Sequence, residues 1–303
     1  MDFVKIKTGR SFAISCCGII VFFNAIVFGA TAIEPVDSIA QYRNAVRQNP
    51  GDAEAHYRLG EAFFQVREWD SAIAVLKEAI AIRPDYMTAY LKLGMTYGKL
   101  EQWSEAIGVY EQAIAVKSEF IPAYLKLGLA YGRLRHWDDA VEIFKKTIAI
   151  NPRSSDAYCS LAIAYGALEQ WNDAIASFKQ AIVIDTADAD AWYNLGVTYG
   201  KLSRWTDAVD AYEGAIRVHP GYGEAFLNAG LACCKLRQWS KAIDMLQEAV
   251  RILPDNMTAY YNLGLMYAGA GEKDSAMKVQ AVLRKLDGAK ADALQRVMEG
   301  SLP

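Results

Sequence analysis

The sequence predicts an all-α fold, a solenoid of stacked antiparallel helix hairpins, and three observations carry that prediction. YGKLEQW begins at Tyr97 and returns as YGRLRHW at Tyr131, YGALEQW at Tyr165 and YGKLSRW at Tyr199, each 34 residues after the last. Small residues keep the same period: alanine from Ala55 to Ala259 and again from Ala72 to Ala276, and glycine or alanine from Gly60 to Gly264. Each copy also holds two stretches whose apolar residues fall three or four apart, as one face of a helix requires. A period of this length marks thin units that become stable only by leaning on their neighbours.

With 53% hydrophobic and 22% charged residues over 303 positions, the chain has the apolar mass for a core and is too apolar for disorder. Its net charge of −3 provides no general field for nucleic acid, which calls for a basic domain. Residues 1–33 differ from the rest. Lys5, Lys7 and Arg10 precede SFAISCCGIIVFFNAIVFGATAI, which is uncharged up to Glu34, and Ala30-Thr31-Ala32 supplies small residues at alternate positions. A basic start, an apolar run and such a site form an export signal; the run is also long enough for an uncleaved membrane anchor, with residues 11–33 as the tether. Either way the following chain is expected on the far side of the membrane, periplasmic or otherwise extracytoplasmic. Cys159, Cys233 and Cys234 remain beyond that segment, an odd number that reads as buried small apolar side chains and not as a disulfide framework.

Residues 34–52 fit the second helix of a repeat alone, with Tyr42, Ala45 and Pro50 in place. Seven full copies fill residues 53–290, in frames that begin at Ala53, Met87, Ile121, Ser155, Ala189, Gly223 and Met257. In the second copy Tyr90, Leu93, Tyr97 and Leu100 mark one amphipathic helix, and Ala106, Ile107, Tyr110, Ala113 and Ile114 the next. Pro84, Pro152, Pro220 and Pro254, at position 32 of their frames, are expected to stop the second helix. Residues 291–303 form an end-cap helix and tail, with Leu294, Val297 and Met298 on one face.

These copies resemble tetratricopeptide repeats, seven full ones and a partial one before them. The fifth shows the pattern best, with Trp192, Leu195, Gly196, Tyr199, Ala208, Tyr212, Ala215 and Pro220. The departures are local: Ser118 and Thr186 replace the proline, Thr147 and Leu283 the alanine at position 27, and Cys233 the tyrosine at position 11. The resemblance implies a right-handed superhelical stack whose first helices line a concave face, with positions 2, 5, 6, 9, 12 and 13 turned into it. Position 6 would then present Arg58, Lys92, Lys126, Ser160, Asn194, Asn228 and Asn262, and position 13 Lys99, Arg133, Lys201 and Lys235. Position 9 would lay an apolar floor of Met95, Leu129, Val197 and Leu231, with Ile163 and Leu265. The asparagines resemble the ladder in the repeat domain of the O-linked N-acetylglucosamine transferase, where amides hold an extended peptide. One amide can donate to a peptide carbonyl and accept from its N–H without selecting a sequence.

Six tryptophans, Trp69, Trp103, Trp137, Trp171, Trp205 and Trp239, stand at position 17. A regular aromatic ladder could stack on sugars, but neighbour packing is the expected use: each indole fills the gap between the two helices of its pair and the next. No residues converge for catalysis. His56, His136 and His219 fall at three different repeat positions, so no metal centre is expected, and Gly269 and Gly271 lack the surroundings of a phosphate loop. No cofactor is called for. The expected function is a non-catalytic, exported protein-interaction scaffold whose concave face holds a partner peptide with some acidic residues. A glycan or cell-wall binding module and a non-catalytic subunit of an envelope enzyme complex are the alternatives.

Overall fold

The computed structural model describes residues 35–300. The expected export signal or anchor of residues 1–33 lies outside them. Among the described residues every regular element is an α-helix. After α1 (Pro35–Gln48), seven pairs follow: α2 (Ala53–Gln65) with α3 (Trp69–Ile82), α4 (Met87–Lys99) with α5 (Trp103–Val116), α6 (Ile121–Arg133) with α7 (Trp137–Ile150), and α8 (Ser155–Ala167) with α9 (Trp171–Ile184). Then come α10 (Ala189–Lys201) with α11 (Trp205–Val218), α12 (Gly223–Lys235) with α13 (Trp239–Ile252), and α14 (Met257–Gly269) with α15 (Lys273–Leu286). The last helix, α16 (Gly288–Met298), begins at Gly288, three residues before the end-cap segment delimited from sequence.

The chain forms two compact units that divide after Thr96, inside α4. In the first, α2 packs against α1 and α3. In the second, each helix from α5 to α16 packs against the next, and the first helices also meet one another where α6 touches α8 and α10 touches α12. This is solenoid packing of successive helix pairs.

The pairs close around the eighth residue of each frame. A methyl group on Gly60 would lie 2.7 Å from Leu76 Cγ, and one on Gly128 2.5 Å from Phe144 Cε1; Gly196 under Tyr212 and Gly230 under Leu246 repeat the arrangement. All seven alanines from Ala72 to Ala276 are fully buried. A larger side chain at either position would force the helices apart at about 1–3 kcal/mol.

Between the two helices of each pair one residue adopts a left-handed conformation: Arg67, Glu101, Arg135, Glu169, Ser203 and Arg237, with φ between 56° and 64°, and Gly271 at 79°. The following N–H reaches five residues back, as in Gln170 N to Tyr165 O at 2.9 Å and Glu272 N to Tyr267 O at 2.9 Å, which is a Schellman closure. Six of the seven carry a Cβ there, so the hydrogen bonds and packing hold a backbone state that disfavours their residue type by about 1–2 kcal/mol. At the far end of the pair, the second helix stops at position 30 whether or not proline follows: α5 and α9 end before Ser118 and Thr186, with Lys117 and Asp185 extended at φ −138° and −128°. Proline is therefore not what terminates these helices.

Capping is unequal. Asp52, Ser154, Asp188 and Asn256 accept hydrogen bonds from the exposed N–H groups of α2, α8, α10 and α14. Phe120 and Tyr222 hold the same position before α6 and α12 and give no side-chain cap.

Neighbouring repeats of the second unit are tied by position 25 of one and the tyrosine at position 11 of the next. Glu111 accepts from the Tyr131 hydroxyl at 3.2 Å, Gln247 donates to Tyr267 at 2.6 Å, and Lys145 and Lys179 lie over the rings of Tyr165 and Tyr199 at 5.6 and 5.8 Å. Where Cys233 replaces the tyrosine, Glu213 pairs with Lys241 at 2.7 Å instead.

The tryptophans pack within their own pairs and also toward the following repeat, where Trp137 joins the cluster of Leu161 and Ala164 and Trp205 that of Ala229 and Ala232. Trp103 and Trp137 lie across Gly98 and Gly132 of their own pair, where an added methyl would sit 2.9 Å from the ring, and both remain half-buried. In the first repeat Phe64 replaces the glycine and meets Trp69 edge-on at 5.1 Å, and in the sixth Cys234 replaces it and Trp239 is 49% exposed. The ring thus covers a seam within its own pair. Trp137→Ala should cost about 1–3 kcal/mol in urea denaturation, against less than about 1 kcal/mol for Trp239→Ala; equal losses would contradict this assignment. Ser154→Ala should cost about 1 kcal/mol through loss of the α8 cap, visible as a lowered denaturation midpoint with unchanged slope.

Candidate functional site

The candidate site is the outward side of the first helices, and the two units carry it differently. In the first, each cation is already engaged. Arg58 Nε lies 2.8 Å from Glu54 and its Nη1 3.3 Å from Glu61, while Lys92 Nζ is 3.0 Å from Glu61 and 5.0 Å above the Phe64 ring. Glu61 stands at position 9, where an apolar floor was expected, and also accepts from the Tyr57 hydroxyl at 3.5 Å. The Tyr86 hydroxyl donates to Glu54, which holds that carboxyl below its usual range, and burial with this bond pushes Tyr86 up to about 12. Met95 is exposed.

The second unit leaves more of its face open. Lys99, Lys126 and Lys201 have no carboxylate within salt-bridge distance among the described residues, and Lys235 is exposed. Arg133 is exposed with its guanidinium 5.7 Å from the Trp103 ring. Leu129, Val197 and Leu231 are half-buried, each with part of its surface against the core and part outward.

Position 6 proves uneven. Ser160 is buried, which interrupts the row in the fourth repeat. Asn194 is half-buried and its amide makes no hydrogen bond among the described residues, whereas Asn262 Nδ2 donates to Thr258 O of its own helix at 2.8 Å. Asn228 Nδ2 donates to the Tyr193 hydroxyl at 2.9 Å. Tyr193 stacks on Tyr222 at 5.0 Å, and Tyr222 donates to Asp190 at 2.7 Å. Burial, with the Glu224 charge second, pushes Tyr193 up to about 12, so the cluster is neutral at its hydroxyls and acidic at its rim.

Sequence placed Tyr193 and Asn228 on this face without any sign of their pairing or of Tyr222. The available sign was a tyrosine in the cap position that follows a frame with a carboxylate at position 2, as in Glu54 with Tyr86 and Asp190 with Tyr222. Among the described residues no group of three His, Cys, Asp or Glu side chains converges. The arrangement can hold a peptide backbone by amides and an acidic side chain by cations.

Comparison with known proteins agrees with the fold. The family model of the Cilia and flagella-associated protein 70 C-terminal domain matches residues 104–298, and tetratricopeptide repeat models match residues 35–86 and 88–116. Among solved structures, MamA is 28% identical over 55% of this chain and 91% of its own, with a TM-score of 0.51. YrrB, described as a TPR protein with an unusual peptide-binding site, is 23% identical over 61% of this chain and 95% of its own, at 0.51. PilF of Pseudomonas aeruginosa is 16% identical over 69% and 96%, at 0.57, a likeness of fold alone. No curated protein matches. Matching models that run through both units and a hairpin pattern repeated with the same turn in every copy leave no other assignment, and the chain belongs to the tetratricopeptide repeat family.

Proposed function

We propose that this protein is a non-catalytic scaffold that holds an extended, acidic segment of a partner protein along the first-helix face of its second unit. A protein-interaction role follows from the family; the peptide and its acidity rest on this chain's own residues. The carrying observation is the contrast in charge pairing. Glu54 and Glu61 already pair with Arg58 and Lys92, whereas Lys99, Lys126 and Lys201 have no carboxylate of their own to displace among the described residues. A ligand carboxylate therefore gains most where no internal partner must first be removed. The Asn194 amide supplies backbone hydrogen bonds beside them, and half-buried Leu129, Val197 and Leu231 supply apolar contact.

We also infer export or tethering through residues 11–33, on the basic start and uncharged run of that segment. Intact-mass measurement of chain recovered from cell fractions tests it. A chain beginning at Ile33 supports cleavage and a full-length chain in the membrane fraction supports an anchor; full-length chain in the soluble fraction removes both.

Labelled synthetic peptides of rising Asp and Glu content test the face itself. Lys126→Gln with Arg133→Gln should weaken the acidic peptides about 3- to 10-fold and flatten the dependence of Kd on salt. Asn194→Ala should weaken acidic and neutral peptides alike without moving Tm. An unchanged salt slope in the first variant would remove the acidic ligand, and unchanged affinity in both would remove the face.

A further inference from the structure

The last repeat lacks the side chain that closes the others. Position 24 is Leu76, Tyr110, Phe144, Phe178, Tyr212 or Leu246 elsewhere and Gln280 here. The space above Gly264 is taken instead by Leu294 of α16, whose Cδ2 would collide with a methyl group on that glycine. Leu294 and Ala291 are fully buried with Leu283, and Tyr260, Tyr261, Leu265 and Met298 pack around them. Tyr261 and Leu265 are positions 5 and 9 of the seventh repeat, the positions that form the ligand face in the others. α16 therefore lies on that face and is more than an end plate.

Its hold is narrow. Beyond Ala291 and Leu294, no residue of this 11-residue helix is buried. The polar clasp is mostly exposed: Arg284 to Asp292 at 2.8 Å, Gln280 to Gln295 at 2.9 Å and Arg284 to Gln295 at 3.3 Å, with one long, part-buried bond from Gln280 to Ala291 O at 3.5 Å. Exposed contacts of this kind add little, and so short a helix has little stability of its own. A helix held by two buried residues and the partly buried Met298 can release without unfolding α14 and α15.

We propose that α16 is an exchangeable occupant of the seventh-repeat face, and that a partner helix takes its place with the same chemistry. That helix carries a leucine in the Gly264 gap, a carboxylate two residues before it for Arg284, and an amide immediately after it for Gln280, as in Asp292-Ala293-Leu294-Gln295. The proposal rests on the first-helix face being the docking surface, and it assigns a helical ligand to one end of it.

The test uses full-length chain and a labelled peptide of residues 287–299. Leu294→Asp should bind the peptide at least about tenfold more tightly than the unaltered chain, because the closed state reduces apparent affinity by its population. Arg284→Glu on that background should abolish the gain, and Asp292→Lys in the peptide should restore it. In the unaltered chain, hydrogen exchange should show α16 amides opening well before those of α14 and α15, a readout that stands even where Leu294→Asp folds poorly. Equal affinity for both chains, no binding to either, or exchange of α16 only together with α14 and α15 would make it a fixed cap and overturn the proposal. Acidic-peptide binding at Lys126 and Arg133 is read in a separate assay, so either idea can fail alone.

Discussion

The close approach of two helix backbones over a residue without bulk is the constraint from which the rest of this structure follows. A leucine or aromatic ring from the second helix rests on the glycine at position 8 of the first, and a fully buried alanine answers it from the other side. That distance decides what each remaining position can reach. Position 25 arrives at the tyrosine of the following repeat, whether as carboxylate, amide or ammonium, and positions 6 and 9 are left half-buried or exposed except at Ser160. The contact is steric and tolerates Leu, Phe or Tyr above the glycine, so long as volume is kept. Its failure at Gln280 shows how strict it is, since another helix has to deliver Leu294 to the same gap.

Local rules yield to this constraint at several points. Six left-handed turn residues are not glycine, and the first helices α6 and α12 start without a side-chain cap. In the second of these, Tyr222 exchanges a cap worth about 1 kcal/mol for a hydrogen bond to Asp190 and a stack on Tyr193. Repetition makes such losses tolerable, because each pair is supported by its neighbours and no single turn must be optimal.

The fold was legible in the sequence because the constraint is periodic: two small residues at fixed spacing state where the backbones meet, and the helix ends follow. Depth was less legible. An amphipathic pattern tells which side of a helix turns inward and not how far, so the tryptophans read as filling the space between helices although each stays partly exposed, Trp239 most of all. The face was legible in residue type only. Asn194 and Asn262 are the same letter at the same position, yet one amide is open and the other is bound to its own helix. Glu61 disarms Lys92 from 31 residues away, a relation in space that no spacing rule for one helix contains.

These internal pairings also explain why a scaffold of nearly uniform repeats need not bind uniformly. In the first repeat a carboxylate of the chain sits on the cations, and in the last a helix of the chain sits on the apolar positions. A ligand at either place must displace a group that is tethered and therefore present at high effective concentration, which subtracts from its affinity. At Lys126, Asn194 and Lys201 no such competitor exists among the described residues, so a ligand of the proposed kind would meet no tethered rival there. On the proposed reading, selectivity for position along the face would arise from what the chain does to itself, with no variation needed in the binding residues of the repeat pattern.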